Sequence, residues 1–190
     1  MKKKGFLFAV LFCIMVPAGL MAQQQRTLVQ EPGFGWFLAP VAKVTGIDGS
    51  AELMIGARGA IIFKKFFALG LGAYTLASDF KVAVDGTPEN LSFTYGGLEQ
   101  DIIFLSDSLV HGAFRTLFGV GSASLGDKVS SDRFFVAELG GDAELNLTQW
   151  MRLSIGGGWR FAQGVTDLEG LYNRELSGLV LNVAVKLGRF

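Results

Sequence analysis

The stretch Phe134–Phe161, FFVAELGGDAELNLTQWMRLSIGGGWRF, decides how the rest of the chain is read. From Phe135 the odd positions are Phe, Ala, Leu, Gly, Ala, Leu and Leu, ending at Leu147. The even positions between them are Val136, Glu138, Gly140, Asp142, Glu144, Asn146 and Thr148. After Gln149-Trp150 the alternation resumes, with Met151, Leu153, Ile155, Gly157, Trp159 and Phe161 against Arg152, Ser154, Gly156, Gly158 and Arg160. Period-two alternation in two runs joined by a very short turn predicts a long antiparallel hairpin. Pairing Asn146 with Arg152 sets Glu138 opposite Arg160, and opposite charges facing each other across a ladder support that register. Each run is long enough to cross a bilayer as a tilted strand of roughly 9–11 residues. The hairpin therefore reads as two staves of a membrane barrel.

The amino terminus points the same way. Met1-Lys2-Lys3-Lys4 is a basic start, Gly5 to Val16 is apolar, and Pro17 to Ala22 ends in a cleavage-like region, the pattern of a secretory signal peptide over 1–22. Cys13 lies in the middle of the apolar stretch behind Phe12, where a lipoprotein signal would need a small residue. Removal of 1–22 would take away three lysines and the lone cysteine, leaving 14 basic and 17 acidic side chains. That balance argues against nucleic-acid binding, which needs a basic face, and it leaves no intramolecular disulfide or cysteine metal site. Residues 23–33 are expected to be a flexible lead-in, and 34–190 a single barrel domain.

Alternation continues along the chain. Strands are expected over 34–45, 50–63, 66–77, 91–105, 111–125, the two of the opening hairpin, and 176–187. In 91–105 the pattern slips. Phe93 and Tyr95 are odd, while Leu98, Ile102 and Phe104 are even, which places a bulge at Gly96-Gly97. Pairing Thr45 with Ser50 across a Gly46–Gly49 turn would put Lys43 opposite Glu52, and Asp101 would fall near Arg115. Eight strands with short and long connections in alternation match an outer-membrane barrel with short periplasmic turns and longer outer loops. Trp36, Phe63, Phe67, Phe104, Trp150 and Phe190 form one expected aromatic girdle, and Phe80, Phe93, Phe135 and Phe161 the other. The fold class is thus all-β, an up-and-down antiparallel transmembrane β-barrel of about eight strands.

Several short motifs carry a resemblance. Gly56-Ala57-Arg58-Gly59, Tyr95-Gly96-Gly97, Glu144-Leu145-Asn146, Trp150-Met151-Arg152-Leu153, Leu176-Ser177-Gly178 and the closing Lys186-Leu187-Gly188-Arg189-Phe190 resemble those of small Gram-negative outer-membrane β-barrel proteins. The resemblance covers the expected mature chain and implies fold and outer-membrane location, with no activity. It also implies contact with outer-membrane lipid and lipopolysaccharide. A terminal aromatic closing an amphipathic strand resembles the signal read by the barrel assembly machinery, which assigns that role to Phe190, although Phe190 is out of phase with the apolar odd positions.

The polar face would line the lumen with Lys43, Glu52, Arg58, Glu99, Asp101, Arg115, Glu138, Asp142, Glu144, Arg152, Arg160 and Lys186. Acids and bases alternate without a ring of one sign, which suits a cross-linked plug better than a selectivity filter. An eight-stranded barrel is just wide enough for side chains or one small ligand, and it closes as a monomer. The lone histidine, His111, falls beside a periplasmic turn, so a hydroxyl nucleophile with a histidine base is not expected. Gly70-Leu71-Gly72 and Gly156-Gly157-Gly158 open no helix and so make no phosphate site. No catalytic residue, cofactor or metal site is assigned. The expected role is structural, or surface recognition through the outer loops. Transport of a small solute or apolar molecule is the alternative, as is a soluble periplasmic ligand-binding barrel, which would need the two faces inverted.

Overall fold

The computed structural model describes residues 33–78, 81–84, 87–125, 131–166 and 172–190, with the side chains at 82–84, 87 and 131 excepted. The expected signal peptide and nearly all of the lead-in segment, 1–32, lie outside the described residues, as does Phe80. Among the described residues there are nine strands: β1 (Phe34–Ile47), β2 (Ser50–Phe63), β3 (Phe67–Leu76), β4 (Lys81–Val84), β5 (Thr87–Phe104), β6 (Val110–Leu125), β7 (Ser131–Asn146), β8 (Met151–Gln163) and β9 (Gly178–Arg189). All but β4 form a closed antiparallel barrel. Each barrel strand pairs with the next, β9 pairs with β1, and β3 pairs with β5. The short β4 pairs only with Thr87–Asn90 at the start of β5. It is a hairpin extension inside what the sequence reads as a plain loop. Asp85-Gly86 between two β-prone runs is the signal for it, obscured by Pro88.

Partner residues followed once round the barrel give its geometry. Phe34 faces Phe63, and the row continues through Phe67, Ile102, Phe114, Gly141, Gly157 and Leu181 to return on β1 at Val44. The offset is ten residues over eight strands. With ~3.3 Å per residue and ~4.8 Å between strands, that requires a strand tilt of about 40°. The matching radius is about 8 Å, a bore that side chains can fill.

The face assignment follows from exposure. Among the described residues, the outward positions of the eight barrel strands carry two charged side chains, Arg133 and Arg189, each near the end of its strand. Between them the outer surface presents Leu38, Val44, Leu53, Ile55, Ile61, Leu71, Leu98, Ile155, Leu181 and Val183, all exposed. Exposed apolar area of this extent surrounding a closed barrel is stable only in lipid. The faces are not inverted, so the soluble-barrel alternative is excluded. Trp36, Phe104, Trp150 and Phe161 are exposed on this outer face, and Trp159 joins them.

The opening hairpin pairs as the alternation predicts, Asn146 with Arg152 and Glu138 with Arg160, and Asp101 faces Arg115. Two expectations are corrected. The β1–β2 turn is the two-residue Asp48-Gly49, with φ of 46° and 77°, the pair of positive φ values that a type I′ hairpin needs. β1 therefore runs two residues further than expected while β2 starts at Ser50 as expected, so Thr45 faces Glu52 and Lys43 faces Met54. Neither is there a phase change in β5. Its partners run without interruption from Leu91 to Phe104, and its odd residues point inward throughout. Phe93 and Tyr95 are thus buried in the lumen, and Phe93 leaves the outer girdle. At Gly96-Gly97 glycine serves close approach instead, since a Cβ on Gly97 would meet the Phe118 carbonyl oxygen at 2.3 Å. The last strand begins at Gly178, two residues later than expected.

Candidate functional site

The inward positions converge on one site, the lumen. Lys43, Arg58, Glu99, Asp101, Arg115, Glu138, Asp142, Glu144, Arg152, Arg160 and Lys186 are buried there, and Glu52 is half-buried. Burying this many charges is tolerable only if each is paired or hydrogen-bonded. In the lower half, Arg58 donates twice from Nη2 to Asp101, at 2.6 and 2.7 Å, and its Nε lies 2.7 Å from Glu99. Lys186 bridges Asp101, at 3.3 Å, and Glu144. Glu144 in turn meets His111 Nε2 at 3.1 Å, with Arg152 beyond it at 3.9 Å. At mid-height, Arg115 donates to Asp142 at 2.8 Å and to Asn182 at 2.5 Å. Lys43 donates to Glu138 at 2.7 Å and to Tyr95 at 3.0 Å, and Tyr95 donates to the other oxygen of Glu138. Tyr74 donates to Glu99, and the Lys43 ammonium sits 3.3 Å above the Tyr74 ring.

The bonded partners are not the ladder partners. Glu138 faces Arg160 yet bonds Lys43, 95 residues away in sequence, and Asp101 faces Arg115 yet bonds Arg58 and Lys186. Long side chains in a bore of about 8 Å radius reach across it as easily as along the wall. Inner-wall glycines make the room. A Cβ on Gly72 would fall 2.2 Å from Glu99 Oε1, and one on Gly156 would fall 1.8 Å from Asp142 Oδ1 and 2.5 Å from the Gly141 carbonyl. Gly156→Ala should therefore destabilise the folded barrel by about 1–3 kcal/mol, measured as a lower urea midpoint for unfolding in lipid vesicles.

Arg160 is the exception among the bases. It is fully buried, and its hydrogen bonds go to the Leu176 carbonyl at 2.8 Å, the Gly46 carbonyl at 3.2 Å and the Met54 sulfur at 3.5 Å, with no carboxylate among them. It ties the β1–β2 end and the β8–β9 connection to the barrel wall. Above the charges lies an apolar layer that includes Ile47, Leu91, Phe93, Leu125, Phe134, Val136 and Leu176, while toward the periplasmic end Phe37, Ile62 and Ile103 share the bore with His111, Glu144 and Arg152. The sequence pattern hides the upper layer, because aromatic residues at inward positions look like lipid-facing ones until the register is known.

His111 is committed to Glu144 and lies near Asn146 Nδ2 at 3.5 Å; none of its hydrogen bonds reaches a serine or threonine hydroxyl. Asn146 also donates to the Ser108 carbonyl at 2.7 Å, holding the β5–β6 turn. Among the described residues, no group of three or more histidine, cysteine, aspartate or glutamate side chains is placed to hold a metal ion.

The chain can be compared with known proteins on this geometry. Neisserial surface protein A, from Neisseria, superposes with a TM-score of 0.58 at 11% sequence identity, over 82% of this chain and 96% of that one. The fold is that of a small outer-membrane β-barrel. Ail, the attachment invasion locus protein of Yersinia pestis, solved in complex with the heparin analogue sucrose octasulfate, superposes with a TM-score of 0.50 at 12% identity, over 82% and 96% of the two chains. No protein-family model matches the chain, and no curated protein matches it. At these identities the barrel architecture is what is shared.

Proposed function

We propose that this protein is an integral outer-membrane barrel with a plugged polar lumen, whose role is structural or lies in surface recognition through its outer loops. The observation that supports a plug is the filling of the bore, an ion-paired cluster beneath an apolar layer at its outer end. A conducting pore needs a continuous wet path, and the Phe93–Phe134–Val136 layer together with the cross-linked charges beneath it speaks against one. Purified protein reconstituted in a planar bilayer should give no current above the lipid baseline. Discrete conductance steps would overturn the plug and restore the transport alternative.

Recognition would fall to the connections 78–90, 126–132 and 164–175. Together they carry eight acidic and three basic side chains. A surface of that sign repels polyanions, so a sulfated ligand like that of the Ail complex is not carried over to this chain. A neutral or cationic surface partner fits better. Under the same reading the alternating β9 and its terminal Phe190 are the segment that the barrel assembly machinery takes up while β9 is still unpaired. Lipid and lipopolysaccharide surround the finished barrel, which closes as a monomer.

A further inference from the structure

The seam between β1 and β9, where the two ends of the barrel meet, is its most interrupted ladder. Partners run from Trp36–Arg189 to Leu38–Leu187 and resume at Val41–Ala184, leaving out Ala39 and Pro40. Proline has no N–H to give to a ladder. The outer end of the seam is tied by side chains and turn backbone. Thr45 Oγ1 donates to the Leu179 carbonyl at 3.2 Å, Asp48 N donates to the Glu175 carbonyl at 3.0 Å, and Arg160 reaches the Gly46 carbonyl. At the periplasmic end two side chains of the last strand meet Phe37 of β1: the Lys186 ammonium lies 4.5 Å from its ring centroid, and Phe190 packs beside it. Phe190 shares the inward phase of Asn182, Ala184 and Lys186, so its ring turns into the mouth of the barrel. There it stacks on Phe37 of β1, with ring centroids 6.4 Å apart and planes at 19°. The guanidinium of Arg152, on β8, covers it 3.9 Å from the ring centroid.

We infer that Phe190 is the clasp of the closing seam: once β9 pairs with β1, the terminal ring locks between Phe37 and Arg152, joining β8, β9 and β1 at the periplasmic mouth. Stacked aromatics and a cation over a ring are each attractive beyond their buried area. The clasp rests on the plugged-barrel reading and explains why Phe190 is out of phase with the lipid-facing residues of β9. Its place in the folded state is separate from any earlier use as an assembly signal.

The test is hydrogen–deuterium exchange of full-length protein refolded into detergent micelles without assembly factors, for wild type, Phe190→Ala, Phe190→Tyr and Arg152→Gln. A cold-to-boiled gel shift of the wild type establishes the barrel independently. If that shift is missing, the barrel reading itself fails, a different outcome from failure of the clasp. The expected result is faster exchange in Phe190→Ala confined to peptides covering 34–41 and 184–190, with β5 and β6 unchanged and Phe190→Tyr like wild type. Arg152→Gln should give a weaker form of the same local pattern, and it decides the matter if Phe190→Ala does not fold. No change at the seam, or an even rise over all strands, would overturn the clasp.

Discussion

Glu138→Leu should cost the barrel about 3–5 kcal/mol, while the triple variant Lys43→Met, Tyr95→Phe, Glu138→Leu should be close to wild type or more stable. Glu138 is the shared acceptor of Lys43 and Tyr95, and all three groups are buried. Removing the carboxylate alone leaves an ammonium in a closed bore, with the ring of Tyr74 beneath it and no carboxylate in its place. The Tyr95 hydroxyl loses its acceptor at the same time. Taking out all three polar groups removes both the attraction and the desolvation penalty, and apolar groups of similar volume fill the space. Equilibrium unfolding in urea, with vesicles as the folding medium, reads both changes. The contrast between single and triple variant is the informative result. If the triple is as unstable as Glu138→Leu, the cluster contributes through packing shape, and the ionic account of the plug is wrong. If the single is harmless, water reaches Lys43 and the lumen is not sealed.

The same cluster shows what was legible in the sequence and what was not. Alternation over 134–161 was sufficient to set the hairpin, its register and the inward direction of Glu138 and Arg160, because a one-residue slip would turn every side chain to the other face. Which charges meet was not legible. Ladder neighbours are set by local pairing, whereas contacts across the bore depend on the ten-residue offset that accumulates only once the barrel closes. Lys43 finds Glu138 for that reason. The turn at Asp48-Gly49 and the phase of β5 were missed on smaller grounds. Gly46 resembles a turn residue but lies within β1, and the aromatic Phe93 and Tyr95 resemble lipid anchors although they line the lumen. An apolar side chain does not reveal which of two apolar surroundings it occupies. A charged one does, and the charges therefore fixed the faces correctly.

That asymmetry underlies the second large effect. Val183→Arg and Ile155→Arg should each destabilise the barrel by about 2–4 kcal/mol near the bilayer midplane. Ile155 and Val183 are ladder partners on β8 and β9, about half exposed on the outer face, with Leu153, Leu181 and Val185 as outward neighbours. Neither site has an acidic residue on that face to pair with a new cation, since Arg133 and Arg189 are its charged side chains among the described residues. Because the two sites are adjacent, the double variant should cost more than the sum, the two guanidinium groups repelling each other in a medium that screens poorly. Arginine at Leu179, nearer the outer end of β9, should cost less, because a long side chain there reaches the interface. This depth dependence separates lipid from a protein partner. A lipid slab penalises charge most at its centre on every strand, while a docked protein would penalise it only within its footprint. A graded loss from Leu179 to Val183, repeated on β2 with Leu53→Arg and Ile55→Arg, would establish a continuous bilayer around the barrel. Equal tolerance at all four positions would remove the lipid-facing assignment on which the transmembrane fold depends.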